Sequence, residues 1–202
     1  MKTNSELRSG SDRDLVEQSG RGNRQAFTEL INRYSRRIHA IAYQIVRNSE
    51  DAQDIAQEVF VKVFQSLSAY DSRGQFVHWL IRIAINQAID YRRSKKMRNR
   101  NLENSQFNTD PHRPVNPGEA VESDQLRNII TNISRQLPDQ QLQAFVLRDL
   151  QEMTVDEISE IMRCKASTVR VHLARARIYI REKIKTDYPE FIITDKRVAN
   201  EL

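Results

Sequence analysis

Large apolar side chains recur at intervals of three and four along most of the chain, and the alternation by two that marks a strand is absent. The first stripe runs from about Arg24 to Arg47 through Phe27, Leu30, Ile31, Tyr34, Ile38, Ile41, Ala42 and Ile45, one face of an amphipathic helix. Asn48-Ser49 interrupts it. Ser49 is the expected N-cap of a second helix, about Glu50 to Ser68, with acids in its first turn. That helix has a cleaner stripe: Ala52, Ile55, Ala56, Val59, Phe60, Val63, Phe64 and Leu67. A loop with Asp71, Ser72, Arg73 and Gly74 leads to a third helix, about Gln75 to Arg93. It is apolar over most of its surface, as a central packed helix is, and keeps one polar stripe of His78, Arg82, Asn86, Asp90 and Arg93.

From about Asn101 to Glu122 the periodicity vanishes, and Pro111, Pro114, Pro117 and Gly118 break a polar stretch. Such a stretch reads as a linker, ordered if at all against a partner. Leu126, Ile129, Ile130 and Ile133 then mark another helix, ended by Pro138. Three shorter helices follow, about Asp139–Leu150, Val155–Met162 and Ser167–Lys185. The expected fold is all-α, with two small helical domains joined by a flexible linker. The domains span 12–100 and 123–185, the linker 101–122, and 186–202 is a tail of unassigned role.

Within the second domain, Thr154 and Glu157 have the capping-box spacing, in which each side chain satisfies an N–H that the helix leaves open. The break Arg163-Cys164-Lys165-Ala166 then separates two short helices, the second opening at Ser167 or Thr168. This is a helix-turn-helix, whose second helix enters the major groove of DNA. Val169, Leu173, Ala176 and Ile180 face inward by spacing. Lys165, Ser167, Thr168, Arg170, Val171, His172 and Arg175 are left near the exposed N-terminal end, where phosphate and base contacts are made.

Charge sharpens this picture by its placement. The chain has 32 Lys+Arg against 27 Asp+Glu, a net charge of only +5. Yet Arg92-Arg93-Ser94-Lys95-Lys96-Met97-Arg98-Asn99-Arg100 contains no acid, and between Arg163 and Lys185 the sole acid is Glu182. Cations so crowded repel one another unless a polyanion lies opposite. Asp51, Asp54, Gln57 and Glu58 form an acidic face opposite the apolar stripe of their helix, suited to a basic protein surface. By spacing alone, a solvated face is the plainer reading. The Tyr70–Phe76 loop sets aromatics beside Arg73 and Gln75, the groups an unstacked base requires. Phe76 and the nearby Trp79 fit the core equally well.

These segments resemble the extracytoplasmic-function (ECF) sigma factors of the sigma-70 family. Asp51-Ala52-Gln53-Asp54-Ile55-Ala56-Gln57-Glu58-Val59-Phe60 is similar to the family's polymerase-docking helix. The run from Trp79 to Arg93 resembles its promoter −10 reading helix. Leu137-Pro138, Ile158 to Met162, Ser167-Thr168-Val169-Arg170 and Ala174-Arg175-Ala176-Arg177 resemble its −35 reading domain. The likeness covers roughly residues 12–100 and 120–185, with the motifs in order. It implies a transcription initiation factor that binds bacterial core RNA polymerase and promoter DNA, duplex at −35 and single-stranded non-template strand at −10. Asp51, Asp54, Gln57 and Glu58 would dock on the clamp helices of the polymerase's largest subunit. Tyr70, Arg73, Gln75, Arg82, Asn86, Arg92, Arg93, Lys95 and Lys96 would hold the −10 region. An anti-sigma partner is also implied. Val171-His172 stands where family members often carry Ser-Arg, so the −35 sequence preference does not carry over.

Two other readings remain at this point. An autonomous helix-turn-helix regulator explains the second half, though neither the acidic face nor the basic run of the first. An enzyme is disfavoured, because His39, His78, His112 and His172 have no metal-ligand spacing and no phosphate-cradling loop or nucleophile signature occurs. No cofactor or metal is expected. A single cysteine, Cys164, excludes an intramolecular disulfide. With a polar start and no apolar run near the ~20 residues of a bilayer span, the chain is expected to be cytoplasmic, without membrane insertion.

Overall fold

The computed structural model describes residues 10–67, 70, 74–103 and 121–189, and every regular element among them is helical. The expected all-α class is thereby met. The chain divides into two compact units that part near residue 95. Residues 104–120, most of the expected linker, and 190–202 of the expected tail lie outside the described residues, as does Arg73.

The first unit contains α1 (Asp12–Gly20), α2 (Arg24–Val46), α3 (Ser49–Ser66) and the start of α4 (Phe76–Glu103). Helix α2 packs against both α1 and α3. The stripes explain the core: Leu30, Ile38, Ile41, Ala42 and Ile45 from α2 meet Ala52, Ile55, Val59 and Val63 from α3, all essentially removed from solvent. Leu80, Ile81, Ala84, Ile85 and Ala88 supply the α4 share. Helix α1 was not expected, because Leu15 and Val16 are its only large apolar residues. Capping and side-chain ties secure it instead. The Ser11 hydroxyl accepts from the Asp14 N–H at 3.2 Å. The Asp12 carboxylate accepts from Arg33 at 2.9 Å and from the Tyr34 hydroxyl, fixing α1 to α2. Burial, then the hydrogen bond to Asp12, pushes the Tyr34 phenol well above its ordinary range.

Three expectations need correction. The N-cap of α3 is Asn48, not Ser49: Asn48 is extended and its side-chain oxygen accepts from the Asp51 N–H at 2.8 Å, which leaves Ser49 as the first helical residue. Phe64, placed in the core stripe, is 50% exposed and meets Phe27 edge-on at 5.0 Å. The stripe is wider than the surface that covers it. Helix α4 continues ten residues past Arg93, to Glu103. Its added turns are mostly straight-chain Lys, Arg, Met and Glu with Asn, and contain no Gly or Pro, so a helix costs little there even without an apolar stripe.

The second unit contains α5 (Val121–Ser134), α6 (Asp139–Phe145), the first five residues of α7 (Val155–Met162) and α8 (Ala166–Asp187). Helices α5 and α6 both pack on α8. Pro138 lies between α5 and α6 and begins the latter, its carbonyl accepting from the Leu142 N–H at 2.9 Å. The expected helix Asp139–Leu150 widens after Phe145 into a π turn, Val146–Leu150, closed by Gln151 N–H to the Val146 carbonyl at 3.0 Å. That turn carries Asp149, which receives Arg177 of α8 at 2.5 Å. Leu142, Ala144, Val146, Leu147 and Ile158 fill the core beneath α8.

Candidate nucleic-acid interface

The helix-turn-helix begins with the expected capping box. The Thr154 hydroxyl accepts from the Glu157 N–H at 3.3 Å, and the Glu157 carboxylate accepts from the Thr154 N–H at 2.7 Å. Helix α7 stops at Arg163, whose φ of 52° is left-handed. The turn closes with Cys164 N–H donating to the Ser159 carbonyl at 3.1 Å. Helix α8 opens one residue earlier than expected, at Ala166. Lys165 is its N-cap, and the Lys165 carbonyl accepts from Thr168 and Val169 at 2.8 and 3.1 Å.

Every residue expected to face inward on α8 does so: Val169, Leu173, Ala176 and Ile180 are buried. This registration leaves Lys165, Ser167, Thr168, Arg170, Val171 and Arg175 exposed along one end of the helix. The first turn carries no acid. The open N–H groups of a helix N-terminus add to the cations, so an anion is favoured there. His172 is half-buried rather than exposed, and its Nδ1 is enclosed without a hydrogen-bond partner among the described residues. It is held by packing, and only part of the ring faces outward. Burial pushes the Cys164 thiol up, away from the reactive thiolate, as befits a turn residue.

In the first unit, Tyr70 joins an aromatic cluster at the start of α4. Its ring lies 5.7 Å from Phe76 and 5.1 Å from Trp79, and its hydroxyl donates to the Gly74 carbonyl at 2.6 Å. Phe76 is buried and Trp79 half-buried, so both serve the core. Gln75 is exposed beside them. Along α4, Asn86, Arg93, Lys95 and Lys96 are exposed, and Arg82 and Arg92 half-buried. On α3, Asp54, Gln57 and Glu58 are exposed, and Glu58 also accepts from Gln87 of α4. Asp51 stands apart from them, half-buried and bonded to Tyr91 and Lys95. Sequence spacing did not disclose this, because the partners lie 40 and 44 residues away.

Residues 30–98 match the model of Sigma-70 region 2, and residues 127–180 that of Sigma-70, region 4. The chain is 31% identical over 182 residues to the ECF RNA polymerase sigma-E factor of Haemophilus influenzae, an alignment covering 87% of this chain and 96% of that one. The chain belongs to the ECF RNA polymerase sigma factors. It is a transcription initiation factor with promoter specificity, whose sigma regions bind core RNA polymerase and promoter DNA. Two solved structures share the fold of this sigma factor. One is CnrH in complex with the cytosolic domain of CnrY, with TM-score 0.64, 22% identity, and coverage of 88% of this chain and 99% of that one. The other is the sigma factor RpoE in complex with the anti-sigma factor NepR from Bartonella quintana, with TM-score 0.59, 18% identity, and coverage of 80% and 98%. Among the described residues of this sigma factor, no helix is long and apolar enough to cross a membrane.

Proposed function

We propose that this sigma factor divides its work among three surfaces. The α3 face of Asp54, Gln57 and Glu58 docks on the clamp helices of the polymerase's largest subunit, while Asp51, expected among them, is turned to Tyr91 and Lys95 of α4. Tyr70, Arg73, Gln75, Arg82 and Asn86, with Arg92, Arg93 and Lys96 of the basic run, hold the non-template strand at −10; Lys95, expected with them, is paired to Asp51. Lys165, Ser167, Thr168, Arg170, Val171, His172 and Arg175 read the −35 duplex. Residues 12–100 and 123–185 are the two working domains, joined by 101–122. The factor acts in the cytoplasm, catalyses no reaction itself and needs no cofactor. An anti-sigma protein holds it inactive by covering the same surfaces.

The observation that carries this reading is the registration of α8. Burial of Val169, Leu173, Ala176 and Ile180 turns an acid-free, cation-bearing N-terminal end outward, which is the chemistry duplex recognition needs. The opposite chemistry, exposed Asp54 and Glu58 on α3, suits a basic protein surface instead. Photocrosslinking tests the assignment, with a benzophenone amino acid placed at position 54, 86 or 168 of the holoenzyme on promoter DNA. Position 54 should mark the largest polymerase subunit, position 86 the −10 non-template strand, and position 168 the −35 duplex. Crosslinks from position 54 to DNA, or from 168 to the −10 strand, would overturn it.

A further inference from the structure

Asp51 differs from the rest of the acidic face of α3. Its side chain is only 18% exposed. One carboxylate oxygen accepts from the Tyr91 hydroxyl at 2.6 Å and the other from the Lys95 ammonium at 2.8 Å. Its backbone N–H is held by the Asn48 cap, so the carboxylate is fixed in the first turn of α3. There the helix N-terminus itself favours a negative charge. Tyr91 and Lys95, four residues apart, lie on one side of α4. A short bond from a hydroxyl and an ion pair on one carboxylate set both its place and its rotation.

The position of this contact along α4 gives it meaning. Ile89 is the last fully buried side chain described on α4; from Asp90 to Arg98 every one is half-buried or exposed. Hydrophobic packing thus stops holding α4 just where the basic run begins. From there lateral restraint comes from polar contacts, and the Asp51 pair reaches back to α3. Successive helical residues turn by about 100°. With Tyr91 drawn toward α3, Arg92 and Arg93 are carried about 100° and 200° around the axis. Lys95, four residues on from Tyr91, is drawn to the same carboxylate, so the rotation that this contact sets is also the rotation of the arginines between them.

We infer that Asp51 is a positioning residue, with Tyr91 and Lys95 as its partners, that fixes the rotation of the basic half of α4 and so links polymerase docking to strand opening. The inference rests on the roles proposed above for α3 and α4. It sets Asp51 apart from Asp54 and Glu58, which face outward, and gives Lys95 an internal partner in place of a phosphate.

The test uses the full chain assembled with core RNA polymerase, on a promoter that the wild-type holoenzyme selects from a random library. Asp51→Ala, Tyr91→Phe and the double variant are compared for affinity to core polymerase and for the maximal rate of promoter opening at saturating sigma factor. Opening is read by permanganate reactivity of unpaired thymines. Affinity for core polymerase should stay within about twofold of wild type, while the maximal opening rate falls about tenfold in Asp51→Ala. Tyr91→Phe should share the direction, and the double variant should open no more slowly than Asp51→Ala, since contacts within one network do not add. Tyr91→Phe removes a single oxygen and keeps the ring, so it decides the matter if Asp51→Ala unfolds. A tenfold loss of core affinity in Asp51→Ala with normal maximal opening would make Asp51 a direct docking contact and overturn the inference. Wild-type opening in both single variants would overturn it as well. Failure of the wild-type chain to bind polymerase would instead defeat the underlying reading of the surfaces.

Discussion

Arg170 offers the sharpest prediction about promoter reading. It lies in the first turns of α8, exposed, beside buried Val169. Truncation to alanine removes a guanidinium and no core packing, so the stability of the unit should change by less than about 0.5 kcal/mol. Binding is another matter. A bidentate arginine contact to a base contributes about 1–3 kcal/mol of discrimination. At about 1.4 kcal/mol per tenfold, that is roughly 5- to 150-fold in affinity. The assay is fluorescence anisotropy of the holoenzyme on duplexes carrying every single-base change in the −35 element, repeated over a salt series. If Arg170 reads a base, Arg170→Ala flattens the preference at one position and leaves the others intact. If it contacts phosphate, all sequences weaken alike and the dependence of log affinity on log salt loses about 0.9 in slope. Unchanged affinity on every duplex would mean that Arg170 does not face DNA, and a thermal midpoint lowered by many degrees that its side chain is packed rather than exposed; either would refute the reasoning.

Four further outcomes follow from the same geometry. Asp54→Ala with Glu58→Ala should weaken binding to core polymerase at least tenfold in an equilibrium pull-down while the protein's melting temperature holds; undiminished binding would count against the docking face. Arg92→Ala with Arg93→Ala should slow permanganate-detected melting more than it weakens duplex recruitment, and equal losses in both would contradict a role at −10. Arg163→Gly should raise the thermal midpoint by a few degrees in calorimetry: the left-handed φ of 52° costs a side-chain-bearing residue about 1–2 kcal/mol, only part of which the extra freedom of glycine in the unfolded chain cancels. Thr154→Ala should destabilise the second unit by about 1 kcal/mol through loss of the cap, measured by urea unfolding, and no change would mean that the 3.3 Å bond to the Glu157 N–H contributes nothing.

Much of this was legible in the sequence, for identifiable reasons. A helix buried on one face announces itself by period, so the inward set Val169, Leu173, Ala176 and Ile180 and the span Val155–Met162 could be read directly. The Thr154–Glu157 box was legible because capping is local chemistry at fixed spacing. Interactions that join distant segments were not. Helix α1 is secured by Asp12 reaching Arg33 and Tyr34, more than twenty residues on, and its own apolar signal is slight. The exposure of Phe64 depends on how far neighbouring helices reach, which no single stripe encodes. The π turn at Val146–Leu150 leaves the apolar sequence Phe145-Val146-Leu147 unaltered and changes only which carbonyl each N–H meets. Asp51 shows the point most clearly. Its spacing places it with Asp54 and Glu58, yet its carboxylate is turned to Tyr91 and Lys95.

The most direct test of the account is co-elution of the purified chain with bacterial core RNA polymerase, followed by transcription from a random promoter library. The account predicts a stoichiometric complex that starts transcription selectively, from promoters sharing two sequence elements centred near −10 and −35. No complex with polymerase, together with tight duplex binding by the chain alone, would contradict it and identify an autonomous helix-turn-helix regulator instead.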